Sequence, residues 1–161
     1  MQEKYWRYMV QIKAWIFYLD LYGEDSYKWE KRINIFSAIA ASTSIAAWAI
    51  WQQLSFVWSL IIAISQVLNA VKEFMPYSKR LKAIVPFMED LKFLYNKMEY
   101  IWFKVASGEM TEEEINETLY EFKNECTNIE NKHLKDETLL ENESFKKKAD
   151  KKTDDYFENN F

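Results

Sequence analysis

Cys126 and His133 stand seven residues apart, a spacing that on a helix brings a thiol and an imidazole to one face, where the ring could draw off the thiol proton. They are the only cysteine and the only histidine, too few for a zinc site, and their place on an apolar seam points to packing rather than chemistry. Glu112, Glu113 and Glu114 could gather a cation, but carboxylates in a first helical turn are expected from the helix dipole alone. Asn116-Glu-Thr118 and Asn142-Glu-Ser144 have the form of glycosylation acceptors. The chain has no glycine-rich phosphate loop, His-x-x-His, nucleophile elbow or Cys-x-x-Cys. No catalytic residue, metal site or cofactor is expected, and the chain is read as not an enzyme.

The residues with a sharper pattern lie inside an apolar stretch. At 100° per residue Ser55, Ser59, Gln66, Asn69 and Glu73 form one stripe of a helix, and upstream Asn34, Ser37, Ala41, Ser44, Trp48 and Gln52 share a face that is small or hydrogen-bonding. Either the two faces pack on each other, or several copies assemble and the second stripe lines a watery path with Gln66 and Asn69 as its polar ring. A single hairpin cannot enclose a path, so the latter requires a homo-oligomer.

The element that must carry these stripes is the stretch 33–71, which holds no Asp, Glu, Lys, Arg or His. It is about twice the length one helix needs to cross a ~30 Å hydrocarbon layer, so it is read as two membrane spans, 33–51 and 55–71, turning at Gln52 and Gln53. Trp48, Trp51, Phe56 and Trp58 crowd the turn, while Tyr27, Trp29, Phe74 and Tyr77 make the opposite aromatic belt. Lys28, Lys31 and Arg32 precede the first span and Lys72, Lys79, Arg80 and Lys82 follow the second, which places both termini in the cytoplasm. Neither glycosylation triplet would then meet its machinery. A soluble bundle with two fully buried helices is the competing explanation; a core of that size rarely runs so far without one charge.

Around the hairpin the expectation is all-α. The chain of 161 residues has two glycines and two prolines, which disfavours strands and turns. Residues 1–24 read as an aromatic, amphipathic helix ending at Gly23, suited to lying at the membrane surface or, the preferred placement, to packing on the cytoplasmic helices, with Asp25 or Ser26 capping the next helix. After the spans, Pro76 and Pro86 are hinge candidates. Leu81, Ile84, Met88, Leu91, Tyr95, Met98 and Trp102 then step by three and four, and Thr111 with Glu114 forms a capping box that starts a second such helix through Ile115, Leu119, Phe122, Cys126 and Ile129. Residues 76–133 are therefore expected to form an antiparallel cytoplasmic hairpin whose seam either drives assembly or is consumed within the hairpin itself, with 134–161 a charged, flexible tail, helical at most in part. A net charge of −4 argues against binding a nucleic-acid polymer.

The aromatic helix YWRYMVQIKAWIFYLDLYG, the lead-in YKWEKRINIF, the charge-free hairpin and the ending WFKVASGEMTEEEINETLYEF together resemble the SLATT family, two-transmembrane effectors associated with bacterial defence systems, over roughly residues 5–130. The resemblance implies a bacterial inner-membrane effector that oligomerises and permeabilises or depolarises the membrane when a linked nucleotide-signalling anti-phage system is triggered, leading to abortive infection. It implies no catalytic residue. The chain carries no attached sensor domain of its own, so the trigger would come from outside it, as a nucleotide-signalling protein or a cyclic or oligonucleotide ligand. The alternative is a non-conducting membrane adaptor that recruits a soluble partner through its cytoplasmic helices.

Overall fold

The computed structural model describes residues 1–50, 55–72, 77–135, 139 and 141–161, with the side chains at 40–50, 55, 58, 69, 72 and 77–80 outside that description. The described residues form five helices and no strand: α1 Gln2–Ile50, α2 Ser55–Lys72, α3 Tyr77–Ala106, α4 Glu112–His133 and α5 Glu143–Asn160. They divide into two compact units, one of Met1–Glu24 with Lys82–Phe161 and one of Asp25–Leu81.

The first unit contains one apolar core. In α1, Tyr5, Met9, Ile12, Ile16 and Leu19 recur at spacings of four and three and are all buried, so the first helix packs on protein. From α3 come Ile84, Phe87, Leu91, Leu94, Tyr95, Met98 and Val105, and from α4 Ile115, Leu119, Phe122, Cys126 and Ile129. Asp90 lies against Lys132 and His133 while Lys97 lies 2.6 Å from Glu125, a pairing whose numbers rise on α3 as they fall on α4, which is the register of an antiparallel hairpin. Its turn uses Gly108 at φ 75°, a conformation that strains any residue with a Cβ. The capping box forms as expected: the Thr111 hydroxyl accepts from the Glu114 N–H, and the Glu114 carboxylate accepts from the Thr111 N–H at 2.7 Å.

Three expectations are corrected. Gly23 does not end a helix, and neither Asp25 nor Ser26 caps one, because α1 continues unbroken to Ile50; helix already propagated on both sides outweighs the cost of about 1 kcal/mol for one interior glycine. Residues 143–160 are not a flexible tail but helix α5, whose start is capped by the Asn142 side chain accepting from Ser144 and Phe145. Ala149 and Thr153 are buried, and Phe145, Tyr156 and Phe157 pack on the core; this narrow stripe holds a helix that is otherwise almost wholly polar. The segments 1–24, 82–133 and 143–160 share one core, so of the two placements open to the first helix the structure takes packing on protein.

Candidate functional site

In the second unit the two described side chains of the α2 polar stripe do not pack inward. Ser59 and Gln66 are exposed on α2, while Ser65, one step round the helix and not part of the expected stripe, is the buried polar residue. On α1, Ser37 is half-buried with its hydroxyl oxygen enclosed and without a hydrogen-bond partner among the described residues. Ser44, Ser55 and Asn69 belong to helices but their side chains, together with Gln52, Glu73 and Pro76, lie outside the described residues. Around Ser59 and Gln66 the surface is apolar: Phe56 is 79% exposed and Val67 61%, and Leu60, Ile62, Ile64 and Val71 are exposed too, as are Ile35, Phe36 and Ile39 on α1. A face this apolar is suited to protein or lipid rather than water. Among the described residues no helix is long and apolar enough to cross a membrane; residues 51–54 and the side chains at 40–50 lie outside that description.

The seam expected to drive assembly is consumed within the chain. Ile84, Leu91, Tyr95, Met98, Ile115, Leu119 and Phe122 are buried and Met88 and Trp102 pack against them; Leu81, at the end of the other unit, is half-buried. The first half of α1 supplies the partner that sequence periodicity left open. The Tyr5 hydroxyl donates to the Met98 carbonyl at 2.8 Å and the Gln2 amide to the Val105 carbonyl at 2.8 Å. Pro86 sits inside α3, half-buried.

Cys126 and His133 have separate roles. Burial pushes the Cys126 thiol up and makes it a poor nucleophile, while His133 Nε2 lies 2.7 Å from Asp90 Oδ2. Hydrogen bonds from His133 and then Lys132 hold the Asp90 carboxyl below the usual carboxylate range. Glu112, Glu113 and Glu114 occupy the first turn of α4, and no group of metal-ligating side chains occurs among the described residues.

Sequence reasoning missed Lys13. Its ammonium stands 3.6 Å from the Tyr156 ring and 4.2 Å from the Tyr95 ring, with Phe17 at 5.5 Å. The Tyr156 and Tyr95 hydroxyls both donate to Glu99 Oε1, at 2.9 and 3.3 Å. Burial lowers the Lys13 pKa, against the opposing pull of Glu99. The box joins α1, α3 and α5, and the tyrosine at 156, in a segment otherwise read as solvated, was its one sequence signal. A groove of about 490 Å³ lies between α1, the end of α4 and α5, walled by Trp15, Tyr18, Leu134 and Leu139, with Glu130, Glu141, Lys146 and Asp150 at its rim.

No family model, curated protein or solved structure matches this chain.

Proposed function

We propose that the chain is a bacterial inner-membrane effector that inserts residues 33–71 as a two-span hairpin, assembles through the polar stripe of α2 and permeabilises or depolarises the membrane. The observation that carries this reading is the exposure of Gln66 and Ser59 on α2 in the middle of a stretch without a single charged residue. A primary amide facing hydrocarbon leaves its hydrogen-bonding groups unmet at a cost of several kcal/mol, and a second copy of the same stripe meets them. In a ring of copies the stripe faces a shared axis, where Gln66 and Asn69 are wetted instead of buried. The resemblance to the SLATT family supplies the setting, a linked nucleotide-signalling system that acts from outside this chain.

The deciding experiment is induced expression in a bacterium with membrane potential followed by a dye, for the native chain and for Gln66→Leu with Asn69→Leu. Rapid depolarisation by the native chain, reduced about tenfold or more by the double substitution at equal membrane abundance, is expected. Undiminished depolarisation by the variant overturns the role of the stripe. The non-conducting adaptor is kept as a second reading because α3 carries Phe93, Tyr100 and Phe103 exposed on one side, a surface suited to a soluble partner. On that reading neither chain depolarises the membrane.

A further inference from the structure

The 490 Å³ groove of the first unit has the size of a small-molecule site, and its chemistry is one-sided. Ala14 and Ala149 form part of its lining, where larger side chains would fill the space, and Trp15, Leu134 and Leu139 offer apolar area to a flat body. Three carboxylates, Glu130, Glu141 and Asp150, meet one ammonium, Lys146, and that ammonium is already held 2.8 Å from Glu141. The Glu130 carboxylate makes no hydrogen bond or ion pair among the described residues. The rim therefore keeps a net charge of −2 from these four groups, three negative against one positive.

We propose that this groove binds a small organic cation, an ammonium on a flat apolar body, and rejects nucleotides and other phosphates. The ammonium is drawn to Glu130 and Asp150 while the apolar part lies against Trp15 and Leu139, and a phosphate placed there meets three carboxylates against the single ammonium of Lys146. The proposal goes beyond the membrane reading and is independent of it. It also bears on that reading's trigger: a nucleotide signal would reach this chain through another protein or another surface, not through the groove.

The test uses the full chain in detergent micelles with tryptamine as the probe cation, indole-3-propionate as the same ring with the opposite charge, and ATP as the phosphate, read by calorimetric titration. Tryptamine is expected to bind and to weaken with added salt, and indole-3-propionate and ATP to give no saturable heat. Glu130→Gln with Asp150→Asn should weaken tryptamine about tenfold or more while leaving the melting temperature of the ligand-free protein nearly unchanged, since both side chains are on the rim. Absence of tryptamine binding at millimolar concentration, equal binding of the two indoles, displacement by ATP, or an unaltered affinity in the double variant would each overturn the proposal. Conductance is not a readout, so its failure leaves the membrane reading standing, and the converse.

Discussion

Several side chains in the first unit titrate abnormally, and they set how the fold responds to alkali. Burial raises the pKa of Tyr5, Tyr8, Tyr95 and Tyr156 above the ordinary 10.0, so the folded chain holds phenol protons that the unfolded chain releases. Stability from these groups is complete below pH 10 and is lost as pH climbs above it. Lys13 works the other way, because its lowered pKa means the unfolded chain binds the proton more tightly; its contribution is missing at neutral pH and is recovered as pH rises towards 10.5. Four tyrosines outweigh one lysine, and the protein should unfold cooperatively between about pH 10 and pH 12, with tyrosinate absorbance and loss of helical dichroism appearing together. A tyrosinate signal that develops while helicity is intact would contradict this. Tyr156 can be probed alone: Tyr156→Phe keeps the ring over Lys13 and removes the bond to Glu99, a loss of about 1 kcal/mol in denaturant unfolding, whereas Tyr156→Ala also uncovers the ammonium and should cost about 3 kcal/mol.

The helices of the chain were legible in proportion to how much of their support is local. The α3–α4 turn was readable because Thr111 and Glu114 satisfy each other within one turn of backbone, and Thr111→Ala should lower stability by about 1 kcal/mol. Gly108→Ala should cost about the same; a methyl there meets no atom within 4 Å, so only the backbone strain at φ 75° is felt. The seams of α3 and α4 were equally plain, since their apolar residues recur at helical spacing, but what covers them was not. Periodicity identifies a face and not its partner, so a surface open either to other copies or to the chain itself is covered by the facing helix and by Tyr5, Met9, Ile12, Ile16 and Leu19 of α1. Helix α5 was illegible because its anchors, Phe145, Ala149, Tyr156 and Phe157, are sparse among lysines and carboxylates and gain meaning only against α1 and α3. The polar stripe of α2 was legible as a pattern, yet the burial of Ser65 in place of Ser59 and Gln66 depends on which way the helix faces within its unit, which no spacing encodes.

For the whole molecule, the division into units predicts two different kinds of failure. Removing α5 by ending the chain after Glu141 strips Tyr156 from the box and Phe157 and Phe161 from Trp6, and should lower the melting temperature of the first unit by about 10 °C or more. If the second unit is solvated by lipid, the same truncation should leave the protein in the membrane fraction after carbonate washing; its release would contradict the topology. The first unit is also discontinuous, because its earliest segment, Met1–Glu24, is separated from Lys82–Phe161 by the whole of the other unit. On the ribosome, Trp6 and Lys13 must therefore wait for α3 and then α5 before all their aromatic partners exist, and the whole of the other unit has by then been made. The order of synthesis thus places the whole of the second unit ahead of the closure of this core, an order that a circularly permuted chain beginning at Lys82 would reverse.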